Sequence, residues 1–352
     1  MRVSVAGSLY VLCTLAILFT EVPAAAREAA GSSGTEGRPR IGLALSGGGA
    51  RGVAHVGVLK VLEENRIPVD YIAGTSMGAI IGGLYATGMS SKEIEDLIFA
   101  VDWEDMFIDR TRREDRPFRR KRDDDLYLIH NKPGFSGGRL KLAPAVIDGQ
   151  KIDLLLKRFT MPVVTVDSFD DLNIPYRAVA ADLVTGRPFV PDGGDLALAI
   201  RASMTIPVAF APRVIGDELV VDGGISICLP VDIVRGMGAD IVIAVDISTP
   251  KMGREKLGSA LAITDQLVSI LTQRNTEIQI ASLNDTDVLI QGDLGDITTA
   301  SFNRVVETIP IGEAAAEEVL EELSRLSLSE EEYREHLEER RKRMQHVERP
   351  VI

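Results

Sequence analysis

Short apolar runs of strand length alternate with segments of helical period along most of this chain. The first run, Ile41-Gly42-Leu43-Ala44-Leu45, passes through a glycine-rich stretch into Val53, Val56, Val58, Leu59 and Leu62, which follow in helical sequence. A second run over 69–73 leads into Ala79, Ile80, Ile81, Leu84 and Tyr85, which share one helical face. Further along, the pattern predicts helices over 140–146 and 152–159, a strand over 176–182, a short helix over 196–201 and a strand over 218–221. Residues 231–237 then lead through Gly238 into an unbroken apolar strand at 241–245. A long helix over 257–280, a strand over 288–290 and a helix over 314–326 follow. Ser90 and Ser329 stand where helix caps belong, the first before 94–99 and the second before a charged helix that runs through Gln345. Strands that are apolar throughout are buried on both faces, so the alternation predicts an α/β fold with a mostly parallel sheet covered by helices.

Composition sharpens this only in part. The 352 residues suffice for one large domain or two smaller ones, and 45% hydrophobic against 5% aromatic content predicts an aliphatic core. A formal net charge of -13 argues against nucleic acid as a partner. At the N-terminus, Arg2 precedes an apolar run over 3–19, and Pro23-Ala24-Ala25-Ala26 supplies small residues for cleavage, so residues 1–26 read as a signal peptide. The run is shorter than the ~20 apolar residues of a spanning helix, which disfavours a retained anchor. Export to the periplasm, the outer membrane or the medium follows, with 27–39 a flexible linker rich in Gly, Ser and Ala. Cleavage leaves the charge unchanged and only Cys228 among the cysteines, which excludes an intramolecular disulfide and, with few histidines, argues against a structural zinc site.

The candidate chemistry begins at Gly74-Thr75-Ser76-Met77-Gly78. Glycine two residues to either side of a serine lets a tight strand-to-helix turn hold that serine outward in a strained conformation. The first turn of the following helix aims free amides back at it. The plainer alternative is a glycine-rich turn with an incidental serine. Upstream, Ser46-Gly47-Gly48-Gly49-Ala50-Arg51-Gly52 lies between a strand and a helix, so its amides face a pocket. Gly47, Gly49 and Gly52 match a dinucleotide fingerprint, with Asp70 placed 18 residues beyond Gly52 as a ribose ligand. The same amides suit the oxyanion of acyl transfer. A dinucleotide domain has no use for a strained serine turn after its second strand, whereas an acyl hydrolase needs both devices on neighbouring strands. Arg51 fits as an added positive charge beside the oxyanion, its alternative role being that of a helix N-terminal residue reaching solvent.

These blocks closely resemble the patatin-like phospholipase family. Gly47 to Gly52 with Ala54-His55-Val56-Gly57-Val58-Leu59 is one block, and Gly74 to Gly78 with Ala79 is a second. A third, Asp-Gly-Gly, has two candidates: Asp192-Gly193-Gly194 follows Pro191 in a turn, while Asp222-Gly223-Gly224 ends the strand at 218–221. The strand-end aspartate fits better, and Ile200-Arg201-Ala202-Ser203-Met204-Thr205-Ile206-Pro207 resembles the block that precedes it. The resemblance implies a three-layer α/β/α fold, lipid acyl hydrolysis without cofactor or metal, and a dyad of Ser76 as nucleophile and Asp222 as base. Gly47, Gly48, Gly49 and Arg51 would form the oxyanion site, and Gly52, Gly74, Gly78, Gly223 and Gly224 the motif glycines. It implies a catalytic domain over 40–246 continued by 247–326. Ile225-Ser226-Ile227-Cys228 is more apolar than the family's small, Asn-containing stretch, which bears on pocket shape.

Histidine usage agrees with a dyad. A Ser-acid-His order needs a histidine after Asp222, and only His336 and His346 follow it, both in the charged tail at 327–352. His55 falls on the packed side of the first helix and His130 in a polar segment. Residues 110–122 carry a local charge of +6, interleaved with Phe118 and flanked by Phe107, Ile108 and Tyr127, and read either as a contact for anionic headgroups or as a solvated loop neutralised by Asp123, Asp124 and Asp125. The tail resembles the connector of outer-membrane patatin proteins, and a homodimer contact is its other use. Two readings from other classes stay open: a lipid-binding module without catalysis, and a dinucleotide protein. A lipid or phospholipid substrate and a membrane surface are the partners this chemistry implies.

Overall fold

The computed structural model describes residues 37–106, 147–207, 209–248 and 260–344, with short pieces at 114, 117–119, 134–136, 139–141 and 258. In chain order the elements are β1 (Ile41–Leu45), α1 (Ala54–Glu64), β2 (Tyr71–Thr75), α2 (Met77–Ala86), α3 (Ser91–Ala100), α4 (Trp103–Met106), β3 (Gly134–Ser136), β4 (Arg139–Lys141), α5 (Gln150–Thr160), β5 (Tyr176–Asp182) and β6 (Pro188–Phe189). They continue as α6 (Leu196–Ser203), β7 (Arg213–Ile215), β8 (Glu218–Asp222), α7 (Val231–Gly236), β9 (Ile241–Asp246), α8 (Ala260–Ala281), β10 (Val288–Gln291), α9 (Val305–Glu318), α10 (Leu320–Ser324) and α11 (Glu330–Arg343).

The main sheet runs β10-β9-β1-β2-β5-β8-β7, with β6 paired to β5. From β10 to β5 every pairing is parallel, while β8 and β7 close the far edge antiparallel. Side chains alternate across the strands and separate two cores. Ile41, Leu43 and Leu45 of β1 join Ile243 and Val245 of β9 in the larger core with α1, α2 and α9. Ala44, Val242 and Ala244 face the other way, onto Leu229, Val231 and Val234 around α7. Helices therefore cover both faces, and the α/β/α layering expected of this chain is what it has. Residues 38–352 form one compact unit.

Two predicted elements differ. Residues 139–141 form β4, paired with β3, where the apolar spacing predicts a helix over 140–146; residues 142–146 lie outside the described residues. The helix expected over 314–326 begins at Val305 and breaks between α9 and α10. The charged tail packs on the domain. Ser329 and Glu332 form the capping box of α11, and His336 on this helix is buried beside Asp70 and Arg38, with Arg340 over the Tyr85 ring. The signal-peptide and linker stretches and most of the basic segment at 110–122 lie outside the described residues.

Candidate active site

The β1–β2 and β2–β5 registers place the glycine loop and the serine at one end of the sheet. Leu45 pairs with Gly74 and Thr75 with Val179, so Gly47, two residues past Leu45, and Ser76, one past Thr75, emerge at the same end of the sheet. Gly47 Cα lies so close that a Cβ on it would sit 3.4 Å from Ser76 Cβ. Ala180 pairs with Asp222, which puts Ser76, Ala180 and Asp222 in one row across β2, β5 and β8. Two strand spacings are about 10 Å of backbone, a gap that a serine and an aspartate pointing inward can bridge.

Ser76 has φ 54° and ψ -117° and is 6% exposed. A positive φ at a non-glycine residue is strained and persists only where the surroundings enforce it. Enforcement comes from three contacts. A Cβ at Gly74 would overlap the Gly78 carbonyl, so only glycine lets the turn close this tightly. The Ser76 amide donates to Ser203 Oγ at 2.8 Å, and that hydroxyl donates to the Val179 carbonyl at 2.5 Å. Thr75 Oγ1 donates to the Ile227 carbonyl at 2.9 Å, tying the elbow to the loop after Asp222.

Asp222 is 9% exposed. Its Oδ1 accepts from the Gly224 amide at 2.8 Å, while Oδ2 is buried with no partner. Burial pushes its pKa up to about 6, opposed by the Gly224 amide and by the Ser76 hydroxyl. The Ser76 hydroxyl favours the ionised carboxylate, although the pair completes no hydrogen bond at rest. Gly223 cannot carry a side chain, because a Cβ there would strike the Val179 carbonyl. Asp192, the other aspartate considered, sits in a loop where its carbonyl accepts from the Phe169 amide.

The glycine loop divides its labour unevenly. The Gly47 amide is committed to the Cys228 carbonyl at 3.1 Å, so it is not an oxyanion donor as expected. The amides of Gly48 and Gly49 have no acceptor among the described residues, and neither has that of Met77 at the start of α2. Arg51 also departs from its expected role. Its guanidinium is buried and donates to the carbonyls of Ile297 at 2.7 Å and of Ile247 and Ser248, each at 3.2 Å. It holds the loops after β9 and β10 under the glycine loop rather than facing the oxyanion. Burial lowers its pKa, with Asp293 and Asp246 opposing. Gly52 packs on Met77, where a Cβ would overlap the Met77 side chain. His55 donates from Nε2 to the Ser46 carbonyl at 2.8 Å, and burial holds its pKa down to about 4. Among the described residues no cluster of three His, Cys, Asp or Glu is arranged to hold a metal.

The stretch Ile225-Ser226-Ile227-Cys228 contributes through its backbone. Its carbonyls accept from Asn275, Thr75 and Gly47, which explains why apolar side chains are tolerated there. Ser203 and Asn275 are the residues sequence reasoning left without a role; Ser203 lay inside a recognised block, while nothing local marked Asn275. Asp70 argues against the dinucleotide reading. It accepts from the Ile41 amide and from Arg38 at the start of β1, the opposite end of that strand from the glycine loop. A ribose ligand must stand at the same end as the loop.

A family model described as patatin-like phospholipase matches residues 43–235, a span that contains the glycine loop, the elbow and Asp222. The chain belongs to the patatin-like phospholipase family. An uncharacterized NTE family protein of Mycobacterium bovis is 35% identical over 231 residues, covering 66% of this chain and 54% of that protein. The mouse patatin-like phospholipase domain-containing protein 6 is 33% identical over 216 residues, covering 59% of this chain and 14% of its own. The chain thus spans about half of the mycobacterial relative and a small part of the mouse one. The crystal structure of VipD from Legionella pneumophila aligns over 81% of this chain and 67% of that one at 16% identity, with a TM-score of 0.46. Within this patatin-like domain, the glycine loop, the elbow and the Asp222 strand end meet at one end of the sheet.

Proposed function

We propose that this chain hydrolyses carboxylic esters of lipids, in the manner of a phospholipase A or lysophospholipase, through Ser76 and Asp222. The observation that carries this reading is the row of Ser76, Ala180 and Asp222, with the serine held at a positive φ and a buried carboxylate oxygen left unpartnered beside it. Family membership supports lipid as the substrate class.

In this reading Ser76 Oγ attacks the ester carbonyl carbon while Asp222 takes the hydroxyl proton. The negative charge that develops on the carbonyl oxygen is met by the amides of Gly48 and Gly49, assisted by the N-terminal amides of α2. Collapse of the tetrahedral intermediate expels the alcohol, which receives the proton from Asp222, and leaves an acyl group on Ser76. Water then attacks that acyl group, Asp222 takes its proton, and the fatty acid departs as Ser76 recovers its own. A carboxyl whose pKa is raised to about 6 is well placed to act as both base and acid near neutrality. We also infer export, on the strength of the apolar run at 3–19 and the alanines before residue 27.

A fluorophosphonate probe tests the chemistry. Attachment to Ser76 with turnover of a soluble ester is expected. Labelling absent from a folded protein would favour the lipid-binding module instead.

A further inference from the structure

The long helix α8 exposes apolar residues in its N-terminal half and turns polar ones inward in its C-terminal half. Several inward positions are polar: Thr276 and Gln279 are buried, Asn275 donates to the Ile225 carbonyl at 2.9 Å, and Gln279 Oε1 accepts from the Asp232 amide at 3.0 Å, while Ile280 packs on the core around α7. Between Ile263 and Leu271 the exposed residues among those described are apolar, whereas Arg274 and Glu277 are exposed further along. Ile263, Leu267, Ile270 and Leu271 are exposed at helical spacing, Leu267 by 57%. A surface helix of a globular domain ordinarily shows the reverse pattern, and a contiguous apolar face left in solvent marks an interaction site.

The position of this face is set by the site. Thr272 Cγ2 would meet a Cβ on Gly224 at 2.9 Å, which fixes this point of α8 at the level of the Asp222 loop. The helix connects the parallel strands β9 and β10 and so runs back against their direction. Residues 260–271 therefore stand beyond the level of the dyad, by roughly 18 Å at 1.5 Å per residue. At the same end of the sheet, the turn after β5 exposes Val184 by 79%.

Charge and area identify what covers the face. The helix carries only Asp265, Arg274 and Glu277 in its 22 residues, so its contact is not an electrostatic one. A second copy docking there would bury about 330 Å², taking a helix face ~33 Å long and ~10 Å wide. That is under half of the ~800 Å² per partner of a stable interface. A lipid surface sets no such threshold, since affinity there grows with whatever apolar area enters the acyl boundary. We propose that the outward face of α8 docks the domain on an uncharged bilayer and brings the Ser76–Asp222 end of the sheet to it. This rests on the lipid-hydrolase reading above for its purpose, but not for its measurement.

The test compares the full chain with a Leu267→Gln/Leu271→Gln double variant. Both sites are exposed, so the fold should be kept. Flotation with phosphatidylcholine vesicles should show association falling about tenfold or more in the double variant. It should be insensitive to raising salt to about 1 M, where charge contacts are screened. Hydrolysis of vesicle lipid should fall in parallel, and turnover of a short soluble ester should not change. Unaltered flotation of the double variant would overturn the proposal. So would a wild-type dimer in sedimentation that the double variant loses, because the face would then belong to a second copy. A wild-type protein that floats through α8 yet turns over no ester would support the docking surface and overturn the hydrolase reading alone.

Discussion

Ser203 Oγ receives the Ser76 amide at 2.8 Å, and through its own donation to Val179 it ties the nucleophile's backbone to β5. The strained φ of Ser76 is thus held by a side chain on the last turn of α6. Ser203→Ala leaves a buried N–H without an acceptor, at a cost of about 1–3 kcal/mol. Part of that strain is released by relaxing the elbow, so kcat should fall by roughly tenfold or more with KM little changed. The rate of fluorophosphonate labelling should fall with kcat. A variant that is only less stable, with an unchanged labelling rate, would make Ser203 a packing residue and nothing else.

Asp222 supplies a prediction in pH. Its folded pKa is raised above the ordinary carboxylate value to about 6. Ester turnover should therefore climb with pH through an apparent pKa near 6 as the base ionises. Stability runs the other way. Between about pH 4 and 6 the unfolded chain gives up a proton that the native state retains, so stability contributed here declines as pH rises and is lowest once Asp222 is ionised. Asp222→Asn removes the buried charge and should gain about 1–3 kcal/mol at pH 8 in a denaturant titration, while abolishing turnover. An active, unstabilised Asp222→Asn protein would place the base elsewhere.

Arg51 separates a structural cation from a catalytic one. Arg51→Met keeps the length but loses donors to three carbonyls, and should cost about 2–5 kcal/mol of stability. Loss of a true oxyanion donor costs roughly 100-fold or more in kcat. Under conditions where the variant is folded, kcat should instead stay within about threefold of the parent. A hundredfold fall in a folded protein would put the guanidinium back at the oxyanion.

These three residues also show what the sequence could convey. The strained turn at Ser76 and the strand end at Asp222 were legible because strand, glycine-flanked turn and helix are contiguous, and a strand end fixes where its last carboxylate points. Arg51 was not, because its partners are backbone carbonyls of Ile247, Ser248 and Ile297, which no residue type advertises. The apolar count predicted α8 as a helix without saying which face turns inward, since Thr276 and Gln279 are buried while Ile263, Leu267, Ile270 and Leu271 are exposed. His336 read as part of a charged tail because Arg38 and Asp70, which it meets, lie at the other end of the chain.

The histidines give the sharpest separation of a dyad from a triad. His55 is fully buried, donates to the Ser46 carbonyl at 2.8 Å, and is held neutral by burial down to about pH 4. His336 is likewise held to about 4, against Asp70, which favours its charge. Neither can produce the inflection near 6 expected of Asp222. Both folded values lie below the unfolded one, so the unfolded state binds more protons between about pH 6.5 and 4, and acid weakens the fold through them. His55→Gln keeps a donor for Ser46 and removes one acid-titrating group. It should lose some stability near neutrality, lose less on acidification, and retain turnover within a few-fold with the same pH inflection. His130→Gln and His346→Gln, at positions outside the described residues, should keep both rate and inflection. One histidine variant that folds, exposes Ser76 to the probe and yet turns over nothing would replace the dyad with a triad.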